Sequence, residues 1–198
     1  MTIVMRNHWP RLLLIVAGLL LLPLFIFPMW RITLLAPQYP DGVHMHIHVD
    51  KIGGKSPGTL QNVNILNHYI GMKPIEPDTI PELKYFPYFV IGFTILALVF
   101  GMIDRKFLYY LWLILFSIAL VLAVYDFYLW EYDYGHNLNP NAPMKFEDES
   151  FQPPLFGSKV LLNFVAKSFP HIGGYFVIAS WICAASALYL KSKKSATS

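Results

Sequence analysis

The chain has 198 residues, of which 56% are hydrophobic, 16% aromatic and only 14% charged, with a net charge of +3 and a mean hydropathy of +0.47. About a quarter of a soluble domain is normally charged, so this composition excludes an ordinary globular domain and points to a polytopic membrane protein. The small, scattered positive charge excludes a nucleic-acid partner, and the single cysteine, Cys183, excludes an internal disulfide, a CxxC pair or a haem-attachment motif.

Residues 1–11 are a short basic head carrying Arg6, His8 and Arg11. The uncharged run 12–30 follows, long enough at about 1.5 Å per residue to cross roughly 30 Å of hydrocarbon. Pro23 and Pro28 fall late in it and predict a kink. No A-x-A cleavage pattern closes the run, so it is expected to remain as a first span. Residues 31–84 form the first polar segment. Pro37, Pro40 and Gly42 predict extended backbone and then a turn. Residues 43–49 alternate V-H-M-H-I-H-V, a strand signal of period two. Thr59 is placed to cap a short helix over 60–70, which Gly71 closes.

Apolar runs at 85–103 and 107–130 predict a second and third span, and the turn at 104–106 between them is short enough to require an antiparallel helical hairpin. Residues 131–171 form the second polar segment. Within it Lys159, Asn163 and Lys167 recur every four residues, with Val160, Leu161, Phe164 and Val165 between them. That pattern predicts an amphipathic helix over 158–168, lying in the membrane interface. A fourth span is expected over 172–190. Seven Lys and Arg cluster in the head, the 104–106 turn and the tail, while eight are spread over the two long segments. This density places both termini in the cytoplasm and both segments outside it. The fold expected is therefore an all-α membrane protein, one integral domain over 1–198. It has four transmembrane helices and a small periplasmic cap of a short strand or hairpin, a short helix and an interfacial helix.

Three groups carry candidate chemistry. His44, His46 and His48 are spaced to share one face of a strand, and imidazole suits copper, zinc and nickel. His68 and Met72 are spaced to share one face of a helix, and a thioether is a soft ligand that suits copper. Asp126, Glu131, Asp133 and His136 follow the third apolar run, where a carboxylate is costly unless paired or functional. Asp133 and His136 can ligate directly or form a carboxylate–histidine pair behind a ligand. Each group also has a structural reading: a solvated strand face, a packed methionine beside a backbone-bonded histidine, and a pinned helix end.

Four blocks add a resemblance. They are Ala36-Pro37-Gln38-Tyr39-Pro40, then Leu66-Asn67-His68-Tyr69-Ile70-Gly71-Met72, then Trp130-Glu131-Tyr132-Asp133-Tyr134-Gly135-His136-Asn137-Leu138, and Gln152-Pro153-Pro154-Leu155 followed by Leu161-Leu162-Asn163-Phe164. Together they resemble the NosB-like four-span bacterial membrane proteins associated with nitrous oxide reductase accessory genes. The resemblance implies a non-enzymatic accessory protein of the bacterial inner membrane, with copper as its cargo or cofactor and nitrous oxide reductase maturation proteins as partners. It favours His68, Met72, Asp133 and His136, while the His44, His46, His48 run departs from the family pattern. Two other roles are compatible with the same residues: a quinol-linked electron-transfer subunit, with Asp126, Asp133 and His136 taking the proton, and a scaffold that docks an exported enzyme or transporter subunit.

Overall fold

The structure, a computed structural model, describes residues 8–143, 151–161 and 164–196. In chain order these form α1 (Trp9–Leu19), β1 (Trp30–Ala36), β2 (Tyr39–Ile47), β3 (Ile52–Gly54), α2 (Thr59–Ile70), α3 (Glu82–Ile103), α4 (Lys106–His136), β4 (Gly157–Leu161), β5 (Phe164–Pro170) and α5 (Ile172–Ala196). Short 3-10 turns follow α1 at Leu22–Phe25 and precede α3 at Pro77–Thr79.

The expectation of an all-α fold is overturned by a five-stranded antiparallel sheet in the order β3-β2-β1-β5-β4. Its central strand, β1, reads WRITLLA, where Trp30, Ile32 and Leu34 alternate with Arg31 and Thr33 for only five residues before Leu35 and Ala36 break the period. The expected interfacial helix over 158–168 is also corrected, because that stretch contributes the hairpin strands β4 and β5. A four-residue spacing is even, so it fits a strand face as well as a helix face. The hairpin then splits the pattern: Lys167 pairs with Ser158, while Lys159 pairs with Ala166.

The expected four spans become three. Among the described residues, α3, α4 and Ile172–Lys193 of α5 are long and apolar enough to cross a membrane, which marks the chain as a membrane protein. The first apolar run instead makes the 11-residue α1, a 3-10 turn and the lead into β1. Pro23 has no N–H to give the Leu19 carbonyl, so the α-helical ladder stops there.

Two cores stack end to end. The helices enclose one around Leu14, Ala17, Ala97, Trp112 and Ala184. Ser180 Oγ donates to the Ala17 carbonyl at 2.7 Å and Thr94 Oγ1 to the Gly18 carbonyl at 3.0 Å, tying α5 and α3 to α1. At one end of this bundle Arg11 Nε donates to the Gly101 carbonyl at 3.2 Å. At that same end Asp104, in the α3–α4 turn, takes Lys191 Nζ at 2.7 Å and the Tyr109 hydroxyl at 2.8 Å. The second core lies at the opposite end, between one face of the sheet, α2 and the last turns of α4, around Ile32, Met45, Val63, Ile70 and Phe151. We call this layer the cap.

A Cβ on Gly18 would stand 2.6 Å from that of Ala97, so only glycine lets α1 and α3 approach this closely. Gly18→Leu is expected to cost about 1–3 kcal/mol through overpacking. A thermal unfolding midpoint in detergent equal to that of the parent would contradict the close crossing.

Candidate functional site

At about 1.5 Å per residue the 31 residues of α4 reach about 46 Å, well beyond a roughly 30 Å hydrocarbon layer. The apolar stretch ends at Trp130, and from there the helix stands in the cap. Asp133 Oδ2 takes Lys73 Nζ at 2.8 Å, and the Tyr134 hydroxyl donates to the Pro74 carbonyl at 3.2 Å. Gly71, left-handed at φ 81°, ends α2, and its carbonyl accepts from Asn139 N–H at 2.7 Å. The Asn64 side-chain amide pairs with both backbone groups of Ile75, at 2.7 and 3.1 Å, and holds the strap after α2. Gly135 lets the 151–155 segment lie against α4: Phe151 N–H donates to the Gly135 carbonyl at 3.0 Å, and a Cβ at Gly135 would collide with the Gln152 backbone.

These contacts leave a cavity of about 480 Å³. The sheet supplies Ile32, Leu34 and Met45 to its wall, α2 supplies Val63, Leu66, Asn67 and Ile70, and Met72 follows. Trp130, Glu131 and Tyr134 close it from α4, and Phe151, Pro153, Leu161 and Phe164 from the last segment. Glu131 is 0% exposed, and neither carboxylate oxygen has a hydrogen-bond partner among the described residues. A buried polar group without a partner carries its full desolvation cost, so this carboxyl is the feature of the cavity that packing does not explain. Burial pushes it up from 4.5 to about 8, which makes it a neutral hydrogen-bonding acid at pH values below that.

The residues singled out in the sequence fall in several places. Met72 lines the cavity, but His68 is exposed, because the helix closes at Ile70 before the four-residue spacing is complete. Asp133 is held by Lys73 and Asn137. His136 is exposed, stacked on Tyr132 with ring centroids 3.9 Å apart, its Nδ1 3.0 Å from the Tyr132 carbonyl. On the sheet face away from the cavity, His44 Nδ1 bonds Thr33 Oγ1 at 2.9 Å, and the His46 ring lies 5.0 Å from His171. His48 follows at the end of β2 with a buried Nδ1 that has no partner among the described residues. Among the described residues no three His, Cys, Asp or Glu side chains are grouped to hold a metal. Asp126 and Glu82 line a second cavity, of about 410 Å³, between apolar side chains of the helices.

Sequence reasoning named Glu131 with Asp126, Asp133 and His136 but had no means of seeing that Glu131 is the fully buried one and has no hydrogen-bond partner among the described residues. It missed Met45 as a cavity wall, although the period-two pattern of β2 puts Met45 opposite the histidines. It also missed His171, whose approach to His46 depends on β1 lying between β2 and β5. A scan of family models and searches of curated proteins and solved structures found no match to this chain.

In the fold burial keeps Glu131 neutral up to about 8, whereas in the unfolded chain it ionises above 4.5. Its contribution to stability is therefore complete below that value and is lost as pH rises toward about 8. Glu131→Gln is expected to flatten this loss and to raise the thermal midpoint most at alkaline pH. Parent and variant curves that coincide across a pH series would contradict a lone buried carboxyl.

Proposed function

We propose that this chain is a non-enzymatic accessory protein of the bacterial inner membrane whose cap, on the periplasmic side, binds a small and largely apolar ligand through the cavity that holds Glu131. The observation that carries this reading is a buried carboxyl with no hydrogen-bond partner among the described residues, facing an apolar cavity of about 480 Å³. Cavities of this size, mostly apolar with a few convergent polar groups, are the usual form of a small-molecule site. A ligand bearing one hydroxyl, carbonyl or amine would give the carboxyl the partner it lacks, and the apolar wall would take the rest. All four blocks that carry the family resemblance contribute to that wall: Ala36 and Gln38 from the first, Met72 from the second, Glu131 from the third, and Pro153 and Phe164 from the fourth. The orientation is supported by the gathering of Arg11, the α3–α4 turn and Lys191 at the end of the bundle away from the cap, which collects cationic groups on one side as cytoplasmic ends do.

Solvent extraction of the purified protein followed by mass spectrometry tests the reading. A small molecule recovered in stoichiometric amount from the parent, and lost on Glu131→Ala and on the cavity-filling Val63→Trp, is the expected result. Equal recovery from all three proteins would reject the cavity as the site.

A second reading keeps the copper that the resemblance implies, with Met72 retained from the donors that spacing suggested and Met45 in place of His68. Met45 and Met72 line the same cavity, and thioethers are soft donors that suit Cu(I). The client would then be the maturation machinery of nitrous oxide reductase. Competition of the purified protein against a Cu(I) chelator discriminates: retention by the parent and loss from the Met45→Leu, Met72→Leu double variant support copper. Indistinguishable titrations remove it.

A further inference from the structure

The sheet meets the helices through a few backbone bonds. Met29 N–H donates to the Ile47 carbonyl at 2.8 Å, His171 N–H to the Met29 carbonyl at 2.9 Å, and Gly173 N–H to the Pro28 carbonyl at 2.8 Å. The first residues of β1, the last of β2 and β5, and the first turn of α5 are thereby fixed at one level. That level is where a membrane helix emerges, since α5 begins at Ile172. Arg31 is directly opposite His46 in the β1–β2 ladder, so the two side chains share the sheet face away from the cap cavity. The His46 ring lies 5.0 Å from that of His171, and His48, one residue past the end of β2, lies near enough to His171 for their charges to repel.

Four basic or potentially basic side chains therefore share one patch. Arg31 is exposed and makes no ion pair among the described residues. The Nδ1 atoms of His48 and His171 are buried without hydrogen-bond partners among the described residues. Burial holds His46, His48 and His171 below the usual imidazole range, and mutual repulsion and Arg31 or Lys51 add to it, with Asp50 the single opposing carboxylate, acting on His48. A cation entering here meets Arg31, whereas an anion can accept from the guanidinium and from imidazole N–H groups. The positive end of the α5 dipole points to the same place.

Phe169 is also opposite Arg31, on the other side of β1, and packs edge to face against the exposed Phe156 with ring centroids 5.2 Å apart. An aromatic pair beside an arginine and a cluster of imidazoles, at the depth where helices leave the bilayer, fits an amphiphile better than a free ion. We propose that Arg31, His46, His48 and His171 bind the phosphate of an anionic lipid headgroup, with Phe156 and Phe169 against the start of its acyl chains.

The test uses the full chain in an uncharged detergent, with thermal midpoint and native mass spectrometry as readouts. Phosphatidylglycerol is expected to raise the midpoint and to remain as a bound adduct, while diacylglycerol and inorganic phosphate at the same concentration do neither. Arg31→Gln, at an exposed position that leaves the fold intact, is expected to weaken phosphatidylglycerol binding about tenfold, the loss of one charge-assisted contact. Arg31→Lys should retain part of it, and Arg31→Gln with His171→Gln should abolish it. Undiminished lipid binding by the double variant would overturn the proposal. A shift produced by inorganic phosphate alone, or by Zn(II) or Cu(I) without dependence on Arg31, would overturn it in favour of a soluble anion or a metal.

Discussion

The length of α4 is the constraint from which the architecture follows. A helix of 31 residues outruns the bilayer, and its surplus turns must find partners outside the lipid. Trp130, Glu131 and Tyr134 become the central wall of the cap, against which the sheet, α2 and the 151–155 strap are assembled. Because α4 belongs to both cores, with Trp112 and Phe116 in one and Phe127 and Trp130 in the other, the cap is built on a beam continuous with the bundle. Its cavity is consequently held at a fixed height above the membrane helices, and loops alone would hold it less rigidly.

A rigid frame also accounts for the persistence of a costly group. Glu131 sits on a regular helix whose flanking residues are tied down, Asp133 by Lys73 and Tyr134 by the Pro74 carbonyl. The carboxyl cannot swing to water without unwinding those contacts, so its desolvation is imposed by the surrounding fold. Strain of this kind concentrates at sites where a ligand relieves it. The imidazoles at the base of the sheet repeat the arrangement on the opposite face, where the ladders of β1 hold Arg31 beside His46.

Much of this was legible in the residues. The apolar runs located α3, α4 and α5, the tight turn at Asp104 required an antiparallel pair, and Gly71 marked the end of α2. The alternation over 43–49 gave β2 and correctly put its histidines on one side. What failed was ambiguous in principle. Residues 30–34 do alternate, with Arg31 and Thr33 between Trp30, Ile32 and Leu34, but the pattern breaks at Leu34-Leu35-Ala36 and follows directly on the apolar run 12–30, so it is too short to mark a strand that pairs on both edges. The four-residue recurrence of 159, 163 and 167 suits either period, and only its pairing partner decides between them. The cavity was least legible of all, since its walls come from four separated stretches and the decisive fact about Glu131 is a missing neighbour.

Both layers are completed from the far end of the chain. The Ala17 carbonyl waits for Ser180, and β1 waits for β5, separated from it by more than a hundred residues. During synthesis, α1 and the β1–β2–β3 sheet must therefore exist for some time with an open helix face and a bare strand edge. A ribosome stalled before residue 164 would present that edge to any extended segment nearby, a template for mispairing. The insertion machinery that handles this protein must shield a half-built sheet at the bilayer surface until the closing hairpin arrives.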